Sequence, residues 1–184
     1  MKKLMIAAAI VCAAVVSHAA SIDWGIQNAA WKDPSGSNPA KGSIVYLING
    51  DTALDTIAAA VSAGNITEQN WFYGSAATDN TKGRISNTTA ASGKLTAGTE
   101  YNFSALMIDG DKYMVSKVFP QNAYTPGEEA MAVSFTSSFF GTNAQTYNAE
   151  TAQNGWATAA VPEPTSAMLL LLGMAGLALR RRRA

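Results

Sequence analysis

Apolar residues in the middle of the chain fall mostly into period-two runs, and that period commits the segment to strands rather than helices. Ser43-Ile-Val-Tyr-Leu-Ile48 is apolar on both faces, as a central strand would be. Tyr101 to Ile108 opens with clean alternation, and Lys112 to Phe119 follows after Asp109-Gly110-Asp111, an Asp-Gly pair that predicts a hairpin because Gly tolerates positive φ. Met131 to Ser137 places Met131, Val133 and Phe135 on one face. Weaker strands are expected at Ser21 to Ile26, Trp71 to Tyr73, Arg84 to Thr89 and Gly155 to Thr158. One segment has the other period: Leu54, Ile57, Ala58 and Val61 form the stripe of a short helix over Thr52 to Ala63. Thr52 with Asp55 resembles a capping box, and Gly64 supplies the stop. Turns are expected at Asn49-Gly50, Ser92-Gly93, Asp109-Gly110 and Pro126-Gly127. The pattern predicts a mainly β domain, an antiparallel β-sandwich of about seven or eight strands with one short helix. Ala157 to Ala160 reads as a small linker out of it.

The two ends obey other rules. Met1 to Ala19 has the parts of a secretory signal: Lys2 and Lys3, an uncharged stretch from Leu4 to Val16, and small residues at Ser17 and Ala19. The secretion machinery and a signal peptidase are the partners this implies, with cleavage between Ala19 and Ala20. Thirteen residues make only about 20 Å of helix, against a hydrocarbon core of roughly 30 Å, which favours a cleaved leader over a permanent span. At the other end Val161-Pro162-Glu163-Pro164-Thr165-Ser166 precedes a charge-free stretch, Ala167 to Leu179, and then Arg180, Arg181, Arg182 and Arg183. Arginines are costly to translocate, so this is a stop-transfer signal that leaves the C-terminus in the cytoplasm and the domain outside the inner membrane. The span is marginal and leans on snorkelling arginine stems. Pro162 and Pro164 lack an N–H and disfavour helix in the preceding residue, so they hold Glu163 in an extended strip.

This tail, with its Pro-Glu-Pro motif (161–166), short Leu/Ala/Gly-rich membrane helix (167–179) and terminal Arg cluster (180–183), resembles the PEP-CTERM sorting signal of Gram-negative bacteria. The resemblance implies recognition by an exosortase, a membrane-embedded cysteine protease, and removal of the tail as the protein passes to the cell surface or its exopolysaccharide. It covers only the end of the chain and says nothing of residues 20–160, which it leaves unassigned to a family. The Leu-Pro-x-Thr-Gly motif of Gram-positive sortase substrates is absent.

Cys12 and His18 both lie in the leader, so residues 20–160 contain neither type. Thiol nucleophiles, Ser-His triads, disulfides and His or Cys zinc sites are excluded there. The same 141 residues carry seven basic and twelve acidic side chains, and a net charge of −5 repels nucleic acid. Three carboxylate groupings remain: Asp51 with Asp55, Asp109 with Asp111, and Glu128 with Glu129. Each has a cheaper explanation, as helix-start, hairpin-tip or turn acids, so no catalytic residues are assigned and the domain is expected not to be an enzyme. An acid-only glycoside hydrolase would need two carboxylates facing each other across a cleft. No cofactor is expected; calcium on turn carboxylates stays open, although no EF-hand spacing is present. Trp71-Phe72-Tyr73 is the densest aromatic run. Adjacent strand residues face opposite ways, so Trp71 and Tyr73 are expected to share a face, either packed in the core or forming a flat platform for sugar rings. Asn65, Asn87 and Asn102 stand in glycosylation-type triplets, which arise readily by chance in an Asn/Thr-rich chain. The expected role is a non-enzymatic structural or adhesive component of the envelope or biofilm, with an exopolysaccharide-binding module as the alternative.

Overall fold

The computed structural model describes residues 19–96, 99–121, 132–148 and 154–159. The rest of the leader, Pro126-Gly127, Glu128-Glu129, Met131 and the whole tail from residue 160 lie outside the described residues. The chain is mainly β with one α-helix. Strands β1 (Ala19–Ile26), β4 (Ile85–Thr96) and β8 (Ala132–Phe135) form a three-stranded sheet in the order β4-β1-β8. A larger sheet runs β3 (Phe72–Ala77), β2 (Ile44–Asn49), β5 (Tyr101–Asp109), β6 (Lys112–Val115) and β9 (Ala157–Thr158), with β7 (Phe119–Gln121) also beside β5. Helix α1 (Leu54–Ala63) connects β2 towards β3.

Alternation along the strands builds three layers. Val45 and Leu47 of β2, Phe103, Ala105 and Met107 of β5, and Met114 of β6 face the small sheet, meeting Ile22, Trp24, Ile26, Val133 and Phe135. The intervening Ile48, Leu106, Tyr113 and Val115 face the other way, onto Ile57, Ala60 and Ile66. The central sheet is therefore packed on both faces, which is why Val45 to Ile48 reads as a continuous apolar run, while Ile44 at the start of β2 is exposed. Burying each such Val, Leu, Ile or Phe contributes roughly 1.5–3 kcal/mol.

Five details depart from the sequence reading. Strands β1 and β8 run parallel, Asp23 to Ile26 pairing with Ala132 to Phe135, within an otherwise antiparallel pattern. A parallel pair needs a long connection, and more than a hundred residues separate these two. Thr52 does not cap α1: the N-cap is Ala53, with no side-chain cap bond, and Asp55 accepts from its neighbour Thr56 instead. Thr52 N–H is already committed to the Asn49 carbonyl, which delays the helix start. The stop is as expected, Gly64 sitting at φ 67° with Asn65 N–H returning to the Ala60 carbonyl. Ser92-Gly93 is not a turn but lies inside β4, where the register against β1 slips between Ala91 and Thr96. Lys112 to Phe119 is two strands rather than one. Ser116 exchanges bonds with Ala105, its hydroxyl accepting the Ala105 N–H, while Lys117 N–H turns away to the Phe139 carbonyl, so the run breaks there. Finally, the weak strand expected at Gly155 to Thr158 forms as β9, so Ala157 to Ala159 is not the free linker also expected there, Ala157 and Ala159 being 3% and 2% exposed; Ala160 lies outside the described residues.

Candidate functional site

The C-terminal exit is the most firmly built feature near a functional motif. Gly155 sits at φ 86° with no room for a side chain, because a Cβ there would lie 2.6 Å from the Gly141 carbonyl. This directs Trp156 into the core, where it is 3% exposed, its ring 6.2 Å from that of Trp31 and its Nε1–H donating to the Lys32 carbonyl at 2.8 Å. Tyr113 pairs with Ala157 and Lys112 with Thr158, and Ala159 N–H donates to the Asp111 carbonyl at 2.8 Å. Thus Asp109-Gly110-Asp111 is the expected hairpin tip, Gly110 at φ 61°, and it also holds the last described residue of the chain. At the other end Ala19 and Ala20 open β1, so a chain starting at Ala20 forgoes only the pairing of Ala19 with Thr96.

The aromatic run does not form a platform. Leu47 pairs with Gly74 and Ile48 with Phe72, leaving Tyr73 as an extra residue on β3. Tyr73 lies between the sheets, whereas Trp71 precedes β3 in a turn and packs on the helix side with Phe72, so the expected shared face is lost. They are 5% and 8% exposed, Tyr73 edge-on to Tyr101 and Phe103 at 5.9 and 5.6 Å. Neither offers a ring face to a sugar. Burial pushes the Tyr73 hydroxyl up to about 12, and the Tyr113 hydroxyl is raised for the same reason.

The acids are dispersed. Asp51 accepts both Asn102 Nδ2 bonds at 3.0 Å, Asp55 serves Thr56, and Asp109 and Asp111 stand exposed at the hairpin tip. Among the described residues no three His, Cys, Asp or Glu side chains come together as a metal group. Asp33 organises a loop, accepting Ser35 Oγ, Ser37 N–H and Ser35 N–H at 2.7 to 2.9 Å; these bonds, the Ser35 hydroxyl foremost, hold its carboxyl below the usual range. Asp79 is likewise lowered, first by the Ser86 hydroxyl and then by Arg84 at 2.8 Å.

The sequence reading missed one cleft, about 330 Å³, whose polar rim is Lys32, Ser137, Thr142 and Asn154 and whose floor is Trp31 and Phe140. Three distant segments build it, so no local pattern announces it. Lys32 is engaged with Asn38 Oδ1 at 2.6 Å.

Among known families, residues 160–183 match the PEP-CTERM protein-sorting motif. No curated protein and no solved structure matches the chain. In sequence the motif starts one residue after Ala159 and two after Thr158, the last residue of β9. It marks the chain as an exported, exosortase-sorted protein bound for the cell surface. Among the described residues no helix is long and apolar enough to cross a membrane, and residues 167–179 lie outside them.

Proposed function

We propose that the chain is a non-enzymatic structural or adhesive component of the cell surface or biofilm, held for a time in the inner membrane by residues 167–179 and released when its tail is removed. The observation that carries this reading is the sorting motif attached directly to a β domain that lacks His and Cys. A sparsely charged surface, with 19 charged residues in 141 against roughly a quarter in ordinary soluble domains, suits a hydrated polysaccharide matrix. No resident cofactor, calcium included, is part of the proposal.

The test replaces Pro162-Glu163-Pro164 and follows the protein by envelope fractionation and mass spectrometry of its C-terminus. The wild type should reach the surface without Arg180 to Arg183, while the variant stays in the inner membrane. Surface material that still carries the arginines would sink the processing step. Hydrolysis of the host's exopolysaccharide by the purified domain would sink the non-enzymatic reading.

Exopolysaccharide binding is a second reading, supported by the polar lining of the cleft, Lys32, Ser137, Thr142 and Asn154, and not by ring stacking, since Trp31 and Phe140 there are as buried as Trp71 and Tyr73. Affinity electrophoresis against the host polysaccharide, with Thr142→Ala and Asn154→Ala beside the wild type, separates it from a purely structural role. Retardation lost in these variants supports binding at the cleft.

A further inference from the structure

The cleft beside Trp31 and Phe140 joins three segments that share an uncommon backbone. Gly36, Gly141 and Asn154 all line it, with φ of 84°, 62° and 53°. Besides Asn154, the described non-glycine residue with positive φ is Ala29, at 54°, and it precedes Ala30 in the wall of the same cleft. Such conformations cost free energy and gather where a ligand is held. Ser137, Thr142 and Asn154 are exposed, and among the described residues their side chains have no hydrogen-bond partner. Lys32 completes the rim. One of its ammonium N–H groups donates to Asn38 Oδ1 at 2.6 Å, and among the described residues no carboxylate pairs with it. Asp33, next in the chain, turns its carboxylate into its own loop, onto Ser35 and Ser37. No acid lines the cleft, in a domain with twelve acids to seven bases.

We propose that the cleft holds an acidic sugar unit, its carboxylate on Lys32 and its hydroxyls on Ser137, Thr142 and Asn154. The assignment rests on the reading of this cleft as an exopolysaccharide site and adds the class of sugar. Relative contact strengths decide that class. Trp31 and Phe140 are 4% and 3% exposed, so neither presents a ring face on which a neutral sugar could stack. A neutral hydroxyl gains little from the rim, because its bond to the protein replaces one to water. A carboxylate on an ammonium makes a charge-assisted bond, roughly twice as strong as a neutral one. The volume, about 330 Å³, lies at the small end of the roughly 300–1,000 Å³ usual for ligand sites, and suits a short stretch of sugar rather than an extended polymer. The acidic surplus of the domain repels a polymer charged at every unit, as it repels nucleic acid. A polysaccharide whose acidic units are spaced among neutral ones meets both conditions.

The test takes the protein as recovered from the cell surface and runs it in affinity electrophoresis against the host's exopolysaccharide, native or with its carboxyl groups reduced to primary alcohols. The native polymer should retard it, and reduction should weaken binding about three- to tenfold, the range between an exposed ion pair and a charge-assisted hydrogen bond. Lys32→Gln should lose the same factor on the native polymer and nothing further on the reduced one, whereas Lys32→Arg keeps most of the binding. Thr142→Ala should weaken binding to both polymers, since its hydroxyl serves the sugar ring and not the charge. Lys32 is exposed, so the thermal midpoint of Lys32→Gln should stay near that of the wild type. Calorimetry with free glucuronate and galacturonate separates the two sources of this chemistry: heat of binding without retardation by the polymer assigns the cleft to a free sugar acid and overturns the exopolysaccharide reading alone. Equal retardation by native and reduced polymer, with Lys32→Gln unchanged and Thr142→Ala impaired, overturns the acidic class and leaves a neutral-sugar site. Retardation that neither variant alters puts the polymer elsewhere on the protein and overturns both. So does a protein that neither polymer retards and neither free acid binds.

Discussion

Trp156 Nε1–H donates to the Lys32 carbonyl at 2.8 Å, tying residues 124 positions apart in sequence. The bond closes the C-terminal strand onto the loop that follows β1, and the indole fills the space beside Trp31. Trp156→Ala should cost about 3–5 kcal/mol, as large-to-small changes at buried aromatic sites do. Trp156→Phe keeps most of the packing and should cost about 0.5–1.5 kcal/mol, since Lys32 is exposed and its carbonyl can turn to water. Urea denaturation of the processed chain measures both. A near-neutral Trp156→Ala would mean that β9 is not part of the cooperative unit.

Gly155 and Gly64 separate backbone strain from lack of space. Both have positive φ, 86° and 67°, but an added Cβ meets nothing within 4 Å at Gly64. At Gly155 it meets the Gly141 carbonyl at 2.6 Å and Ala144 Cβ at 3.0 Å. Gly64→Ala should therefore cost about 1–2 kcal/mol, the left-handed penalty alone. Gly155→Ala should cost about 2–5 kcal/mol, because overpacking adds to that penalty. Equal losses in thermal denaturation would show that the close approach to Gly141 relaxes freely.

The strands were legible because alternation is local: the apolar run needs both faces covered, and the fold covers both from Val45 to Ile48 while leaving Ile44 exposed. The helix stop at Gly64 was legible for the same reason, one residue carrying the αL conformation. What escaped the sequence depends on partners far along the chain. Nothing near Trp71 announces that β3 starts only at Phe72 and leaves Trp71 in the preceding turn, facing away from Tyr73, since that start is defined by the pairing of Phe72 with Ile48. The weak strand at Gly155 to Thr158 was legible, but Ala159 looks like a linker residue, being small and uncharged, until Asp111 is placed beside it. The parallel pairing of β1 with β8 is equally non-local. The sorting motif is the opposite case, a contiguous signal read by another protein, and so it is visible in the sequence.

Stability should fall at both ends of the pH scale, for different groups. Tyr73 is held neutral by burial, with its hydroxyl at about 12 against 10.0 when exposed. The unfolded chain loses that proton first, so the stabilisation is complete below pH 10 and is lost as pH rises towards 12. Tyr113 shifts the same way. Asp33 and Asp79 are lowered from 3.8, so what they contribute is present above that pH and is lost as pH falls below it. Phenolate absorbance during an alkaline titration should show Tyr73 ionising last and with unfolding, and Tyr73→Phe should flatten the alkaline limb. Asp79→Asn should weaken the acid dependence and leave the alkaline limb alone. A Tyr73 that titrates with the exposed tyrosines would contradict its place between the sheets.

Gln145 serves the break between β6 and β7, and its amide tests how that break is held. Nε2 donates to Ser104 Oγ at 2.9 Å and to the Ser116 carbonyl at 3.1 Å, and both serines are fully buried. Gln145→Ala removes a donor from two buried oxygens and should cost about 1–3 kcal/mol, the penalty of leaving such groups unsatisfied. Ser104→Ala in that background should recover part of the loss, because one of the stranded oxygens is then gone. Residues sharing a hydrogen bond typically couple by about 0.5–3 kcal/mol in a double-mutant cycle, whereas independent sites add to within about 0.3–0.5 kcal/mol. Additive losses across Gln145→Ala and Ser104→Ala would mean that the amide stabilises the break through the Ser116 and Gly50 carbonyls rather than through Ser104. Coupling of the expected size would instead place Gln145 as the link between β5 and the interrupted strand beside it, where Ser116 already replaces one rung of the ladder.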